Sequence, residues 1–404
     1  MSGYKNLALI GSTGSLGKKV FERAVQTGRR ITAIAAERNV GELLRQAAKA
    51  RPLIVAIGKE EKAEELKRGL CRMFPKGERP EVYSEKEGLC HIVETCDELA
   101  VTTCGLAGIQ ACETALMKGR RILLGSKEIA VVGGSALRRP AEDEMGNIVP
   151  LDSELTAVVQ LLKGRRVDDI HRITLCASGG PFLGKKACDL EEVSVADTLN
   201  HPVWSMGKKV SVDSATLFNK AMEIMAAERL LGIPMSKLGA VIHPECRVHA
   251  FLETNDGAIL FQSAPADMAW AVGYALEEPF PERLKSQRNS LESSFDSFRR
   301  LTFLSIEKGS FSSIDLAWRA LDAGGGVPAF LAGADSALVK EYLNGGLSFL
   351  DITKGLNDLF LRAEGEKKWD SKNLSAMISA WEKGGLEAVN WIKERGKQSL
   401  NTCK

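Results

Sequence analysis

Carboxylates, lysines and a run of hydroxyls carry the chemistry this sequence can do. Asp152 and Glu154 stand two residues apart, where Pro150-Leu151-Asp152-Ser153-Glu154 leads into the apolar helical pattern of Val158, Val159, Leu161 and Leu162. They are hard oxygen donors at a loop-to-helix junction, and with one more carboxylate they suit Mg2+ or Mn2+. The same residues also read as a helix cap followed by a glutamate that the helix dipole favours. The stretch from His201 to Glu223 supplies the rest. Its first half holds Pro202, Trp204, Met206 and Gly207, the make-up of a segment that can move and lay apolar surface over a ligand. Its second half is helical, with Ser214 as the expected N-cap and Asn219, Lys220 and Glu223 together on one face. A hydroxyl, an amide, an ammonium and a carboxylate near one helix entry can bind a phosphate and help hold a metal ion. A capped helix with a surface Lys–Glu pair reads from the same letters.

The elements that must position these groups follow from hydrophobic patterning. Leu7-Ala8-Leu9-Ile10 is a buried strand, and Gly11-Ser12-Thr13-Gly14-Ser15-Leu16-Gly17 joins it to a helical pattern through Val20, Phe21 and Ala24. Glycines at that junction let backbone N–H groups approach a pyrophosphate at a helix N-terminus. A second strand, Ile31 to Ala35, runs into Ala36-Glu37-Arg38-Asn39, where an adenosine ribose would be read. Glu37 alone favours a ribose hydroxyl, whereas Arg38 and Asn39 can hold a 2′-phosphate, so the balance leans to NADP. Further strands at 53–58, 99–103 and 121–124 alternate with helices, which argues a parallel, doubly wound sheet. Gly125-Ser126-Lys127-Glu128 lies at the carboxyl end of one of them. There Lys127 can donate to a substrate oxygen, and Ser126 and Glu128 can meet cofactor hydroxyls; a plain polar turn fits as well. A later strand, His171 to Ala177, opens into Ser178-Gly179-Gly180-Pro181-Phe182, whose backbone can cradle a phosphate or simply turn before the proline.

Bulk properties bound the answer. The chain has 404 residues, 44% hydrophobic and 26% charged, with net charge +2. That is an ordinary globular composition, and it gives no support to a nucleic-acid or membrane-surface partner. No stretch is long and apolar enough to span a bilayer. Nine scattered cysteines without a Cys-x-x-Cys pair point to buried thiols in a reducing, cytoplasmic setting.

These motifs, in this order, resemble the 1-deoxy-D-xylulose 5-phosphate reductoisomerase family. The matching pieces are Gly11 to Gly17, Arg38-Asn39, Lys127-Glu128, Asp152-Ser153-Glu154, Ser178 to Phe182, His201 to Glu223 and Ile242-His243-Pro244. The resemblance implies an enzyme that rearranges the sugar phosphate by retro-aldol cleavage and re-addition. It then reduces the branched aldehyde with NADPH to 2-C-methyl-D-erythritol 4-phosphate, in the non-mevalonate route to isoprenoid precursors. It implies Asp152, Glu154 and Glu223 as ligands of Mg2+ or Mn2+. Lys127, Ser153, Glu154 and His201 would meet the substrate backbone, and Ser178, Ser214, Asn219 and Lys220, beside Glu223, its phosphate end. Lys127, Glu154, His201 and Trp204 would be catalytic, with Trp204 closing in a lid over 201–211. Thr13, Gly14, Ser15, Leu16, Arg38, Asn39, Ser126, Glu128 and Gly207 would meet NADPH. A homodimer is implied as well.

The sequence departs from the family pattern at Glu37, at Gly125-Ser126, at Leu155-Thr156 and at Glu245-Cys246. A divergent NADP-dependent paralogue acting on another phosphorylated hydroxyketone is therefore the alternative, and a catalytically silent dinucleotide-binding protein a third. The expected architecture is α/β: a Rossmann-like NADPH domain at 1–149, an α/β catalytic domain at 150–276, a linker at 277–312 and a C-terminal helical bundle at 313–404. In the bundle, Ile314, Leu316, Leu338, Tyr342, Leu356, Leu359, Trp381, Leu386, Val389 and Ile392 repeat at helical spacing. His249 is expected to be a core histidine, and Asp256-Gly257 a hairpin turn.

Overall fold

The structure, a computed structural model, describes residues 5–138, 147–276, 300–306, 312–364 and 369–402. Most of the expected linker at 277–312 lies outside the described residues. The chain divides into two compact units: Met1–Ile129, Arg139–Thr156 and Asp267–Asp296 form one, and Ala130–Arg138, Ala157–Ala266 and Ser297–Lys404 the other.

The first unit alternates strand and helix. Its strands are β1 (Leu7–Ile10), β2 (Ile31–Ala36), β3 (Ile54–Ile57), β4 (Glu81–Ser84), β5 (Glu98–Val101), β6 (Arg121–Leu124) and β7 (Ile148–Pro150). They form one parallel sheet in the order β4-β3-β2-β1-β5-β6-β7. The expected doubly wound sheet is thus present, and β1, β2, β3 and β5 are buried throughout, as strands covered on both faces must be. The order reverses beside β1, so the crevice at the carboxyl ends of β1 and β5 is the natural ligand site. Helices α1 (Ser15–Gln26), α2 (Val40–Ala50), α3 (Ala63–Met73), α4 (Glu85–Glu94) and α5 (Ile109–Met117) follow β1 to β5 in turn, α6 (Lys127–Leu137) starts three residues after β6, and α7 (Ser153–Leu162) follows β7. A late helix, α11 (Ala269–Leu276), packs on α1 and adds Val272, Ala275 and Leu276 to the apolar core. Arg29 and Arg121 both pair with the buried Glu98 and donate to the last carbonyls of α11, at Leu276 and Ala275. Those carbonyls have no partner within the helix, so the arginines satisfy them while neutralising a buried charge.

The second unit is built on a four-stranded sheet, β11-β10-β8-β9, made of β8 (Ile170–Ala177), β9 (Leu238–Ile242), β10 (Val248–Thr254) and β11 (Ile259–Ser263). The predicted turn at Asp256-Gly257 joins the antiparallel pair β10 and β11. After the short α8 (Val195–Leu199), two consecutive helices, α9 (Lys208–Ala215) and α10 (Phe218–Leu231), carry much of the motif-bearing stretch, and α10 is buried nearly all round. The C-terminal helices α12 (Ser312–Ala323), α13 (Val327–Leu343), α14 (Phe349–Ala363) and α15 (Leu374–Thr402) complete the unit, as the bundle expectation required. On α15 the buried face differs from the expected one. Leu374, Met377, Ala380, Ala388 and Trp391 are buried, whereas Leu386 is 61% exposed and Val389 39%. Small residues decide this: Gly384 packs so close to α13 that a Cβ there would lie 1.9 Å from the Phe330 carbonyl oxygen. No helix among the described residues is long and apolar enough to cross a membrane.

Candidate active site

In the first unit the glycine loop leaves β1 with Gly11 at φ +86°, and the N–H groups of Gly11 and Ser12 both donate to the Ala35 carbonyl of β2. A Cβ on Gly17 would stand 2.1 Å from the Gly11 carbonyl oxygen, so α1 starts here only because residue 17 has no side chain. At Gly14 the space is open, the nearest atom being the Gly11 oxygen at 3.4 Å, and no side chain caps α1. An uncapped helix start that backbone can approach closely fits a pyrophosphate. Thr13 and Leu16 are half-buried around it, and Gly14 and Ser15 are exposed. Arg38 and Asn39 follow β2 on the surface. The Asn39 oxygen caps α2 by accepting from the Glu42 N–H at 3.1 Å, so any cofactor contact falls to its NH2 group.

Ser126 is placed differently from its expected role. It is 2% exposed; its hydroxyl accepts from the Ile129 N–H at 3.2 Å, capping α6, and donates to the Gly105 carbonyl at 2.9 Å. It also lies 3.2 Å from Glu128 Oε2. Ser126 therefore fixes the start of α6, and with it the two residues that follow, instead of turning its hydroxyl outward. The Lys127 ammonium lies 2.6 Å from Asp152 Oδ2. The other oxygen of Asp152 accepts from the N–H groups of Glu154 and Leu155, at 3.1 and 3.0 Å, and so caps α7 (Ser153–Leu162). Both readings of Asp152 hold at once: it is a helix cap and a charge placed against a lysine. Ser153 donates to Glu154 at 2.5 Å, and the carboxylates of Asp152 and Glu154 bring ligand oxygens within 4.8 Å of one another. Two hard oxygen donors at that spacing fit Mg2+ or Mn2+.

The remaining candidates belong to the second unit. Ser178 directly follows β8, with its hydroxyl 2.9 Å from His201 Nε2 and 3.5 Å from the Ser214 hydroxyl. His201 Nδ1 accepts from the N–H groups of Val203 and Trp204, at 3.1 and 2.9 Å. The ring proton therefore sits on Nε2, and burial holds the imidazole below its ordinary pKa. The stretch expected to form a lid is thus tied to His201 by its own backbone. The Trp204 ring lies 6.3 Å from the ring of His249, a residue on β10 that is buried as expected. That the core histidine lies near Trp204 had no signal in the sequence. Gly207, exposed, opens α9.

Ser214 is not an N-cap. It sits in the last turn of α9, and the chain breaks at Leu217, whose φ is +60°, before α10 begins. A left-handed leucine costs about 1–2 kcal/mol, and burial of its side chain to 2% exposure helps to hold it there. Thr216 takes the local capping role by accepting from the Phe218 N–H at 3.3 Å. The predicted face of α10 is present: Asn219 donates to Glu223 Oε1 at 2.6 Å, and the Lys220 ammonium donates to the other oxygen. Lys220 and Glu223 are buried, so this is no surface pair.

Of the departures from the family pattern, Leu155-Thr156 lies in the interior and Glu245 is partly exposed. Leu155 is 2% exposed and Thr156 fully buried, donating to the Pro150 carbonyl. Glu245 accepts from the Thr302 N–H at 3.2 Å and lies 3.1 Å from His243 Nδ1.

Comparison with known proteins finds one family along most of the chain. Family profiles described as 1-deoxy-D-xylulose 5-phosphate reductoisomerase, its C-terminal domain and the DXP reductoisomerase C-terminal domain match residues 7–134, 148–231 and 264–383. The 1-deoxy-D-xylulose 5-phosphate reductoisomerase of Citrifermentans bemidjiense is 34% identical over 400 residues, covering 98% of this chain and 99% of that one. That of Caldanaerobacter subterraneus is 35% identical over 378 residues, covering 93% and 96%. A crystal structure of DOX-P reductoisomerase in complex with NADPH, fosmidomycin and magnesium superposes with TM-score 0.84 at 27% identity, covering 96% of this chain and 98% of that one.

Proposed function

The chain belongs to the 1-deoxy-D-xylulose 5-phosphate reductoisomerase family, and from its site we infer which residues carry each part of that reaction. It is an NADP-dependent oxidoreductase that, with a divalent metal, isomerises and reduces 1-deoxy-D-xylulose 5-phosphate to 2-C-methyl-D-erythritol 4-phosphate. When bound, NADPH supplies the hydride, and Mg2+ or Mn2+ polarises the substrate's oxygens.

The residues divide the work by charge. Asp152, Glu154 and Glu223 are the proposed metal ligands, and Lys127 the donor that stabilises negative charge on the substrate backbone, with Ser153 beside it. Ser178, Ser214, Asn219 and Lys220 are assigned to the phosphate, where binding energy remote from the reacting carbons can drive orientation and lid closure. His201 anchors the lid through Nδ1 and presents its Nε2–H, and Trp204 excludes water. Thr13, Gly14, Ser15, Leu16, Arg38, Asn39, Glu128 and Gly207 are assigned to NADPH, with Ser126 holding Glu128 and Lys127 in place.

One observation carries this assignment: the Lys127 ammonium at 2.6 Å from Asp152, with the Glu154 carboxylate alongside. The test is NADPH oxidation by the purified protein with 1-deoxy-D-xylulose 5-phosphate and Mg2+, repeated with a chelator. Chelator-sensitive oxidation yielding the branched tetritol phosphate is expected; metal-independent oxidation would remove the ligand assignment. A homodimer is proposed as well. β11 is an edge strand carrying Ile259 at 65% and Phe261 at 49% exposure, surface that pairing with a second copy would cover. Light scattering of the purified chain measures this. The cytoplasm is the proposed location, in keeping with the buried thiols of Cys96 and Cys112, which burial pushes up to about 12.

A further inference from the structure

The adenosine end of the cofactor site holds a contradiction in charge. Glu37 follows directly on β2, the position at which a carboxylate reads a ribose 2′-hydroxyl and repels a 2′-phosphate. Arg38 is its neighbour and would attract that phosphate. Parallel pairing of β2 with β3 brings a further residue to this point. The Gly58 N–H donates to Ala36 O and the Lys59 N–H to Glu37 O, both at 2.9 Å, so Gly58 and Lys59 extend the ladder beside Glu37. A Cβ on Gly58 would stand 2.6 Å from Glu37 Oε2, so the carboxylate lies across the glycine. Its other oxygen is 3.9 Å from Lys59 Nζ, with both side chains about half exposed.

We propose that Lys59 is a specificity-determining residue for the cofactor, drawing the Glu37 carboxylate over Gly58 and supplying, with Arg38, the positive field that a 2′-phosphate requires. The inference rests on the NADPH reading above and adds Lys59 and Gly58 to it. An exposed carboxylate–ammonium pair is weak and screened by salt, which suits this role. Lys59 can turn from Glu37 toward a dianion at little cost. Without Lys59 the Glu37 charge stands unopposed beside the phosphate, and with neither residue the site depends on Arg38 alone. NADH has no 2′-phosphate, so the pair is close to neutral toward it. Discrimination between the two cofactors is therefore what Lys59 changes.

The test is titration of the full-length protein with NADPH, NADH, 2′,5′-ADP and 5′-AMP, following intrinsic tryptophan fluorescence or heat. It is run for the wild type, K59A, K59R, E37Q and the E37Q/K59A double variant. K59A is expected to weaken NADPH and 2′,5′-ADP about fivefold or more while leaving NADH and 5′-AMP within about twofold. K59R retains the preference. E37Q strengthens NADPH, and in that background the K59A loss shrinks to less than half on a logarithmic scale. Equal losses for NADPH and NADH in K59A, no loss for either, or the same K59A loss with and without Glu37 would each overturn the proposal. A wild type that prefers NADPH while K59A keeps the same ratio removes Lys59 alone. A wild type that binds neither nucleotide removes the cofactor reading, and this inference with it.

Discussion

The Lys127 ammonium lies 2.6 Å from one oxygen of Asp152, whose other oxygen caps α7 through the N–H groups of Glu154 and Leu155. One carboxylate thus couples the start of a helix to the lysine proposed to stabilise charge on the substrate, and the two roles are separable by substitution. Asp152→Asn keeps an oxygen that can cap, so the melting temperature should stay within a few degrees of wild type while metal-dependent turnover is lost. Asp152→Ala loses the cap too and should cost about 1 kcal/mol more in urea unfolding. Equal stability losses in the two variants would contradict the capping role.

Lys127→Met should lower kcat about a hundredfold or more, because a donor aimed at developing negative charge contributes mainly in the transition state. NADPH affinity should change by less than about threefold, since Ser126 still caps α6. Steady-state kinetics and a direct NADPH titration separate the two effects. A raised KM with unchanged kcat would make Lys127 a binding group only.

Lys220 and Glu223 form a buried pair, and Asn219 donates to the same carboxylate from the same helix. Glu223→Gln should abolish metal-dependent turnover and leave NADPH binding intact. Lys220→Met strands a buried charge and should cost about 3–5 kcal/mol, whereas the double variant K220M/E223Q should recover at least half of that. Urea unfolding of the three variants reads this coupling, and additive losses would exclude it.

Burial holds His201 below its ordinary imidazole pKa, so its neutral form is the one the folded state prefers. The unfolded chain then binds more protons between that lowered value and the unfolded value of about 6.5, and stability falls as pH falls through this window. Protonation would also place a hydrogen on Nδ1, which now accepts from Val203 and Trp204. Acidification below about pH 6.5 should therefore loosen the lid, read as a change in Trp204 fluorescence, and lower the melting temperature. In His201→Asn both pH dependences should shrink. If they persist unchanged, another group carries them.

Gly14 and Gly17 are three residues apart, yet alanine at each should act differently. At Gly17 the methyl would meet the Gly11 carbonyl oxygen at 2.1 Å, so G17A should unfold or lower the melting temperature by at least several degrees, a cost of about 2 kcal/mol or more. At Gly14 the methyl enters open space, so G14A should fold normally and bind NADPH at least about tenfold more weakly. Thermal melts and a cofactor titration distinguish them. Normal NADPH affinity in G14A would move the pyrophosphate away from this loop.

Much of the site could be read in the chain because its signals are local. A glycine loop between a buried strand and a helix needs only a few consecutive residues, and so do an Asp–Ser–Glu turn into a helix and an Asn–Lys–Glu face. The physics that fixes each acts over one turn of backbone. The alternation of strand and helix likewise determined a parallel doubly wound sheet, because successive parallel strands require crossover helices.

Tertiary structure decided what depends on distant neighbours. Ser214 reads locally as a helix cap, but packing holds Leu217 left-handed and moves the helix start past it. Ser126 reads as a cofactor contact, but the Gly105 carbonyl, twenty-one positions earlier, claims its hydroxyl. The buried face of α15 is chosen by the close approach of Gly384 to α13, which hydrophobic spacing does not encode. Glu37 and Lys59 meet only because β2 and β3 lie side by side in the sheet. Sequence by itself determined which chemical groups this protein has and the local elements that carry them. The pairing of those groups was decided by strand order and close packing, because both depend on contacts between residues far apart in the chain.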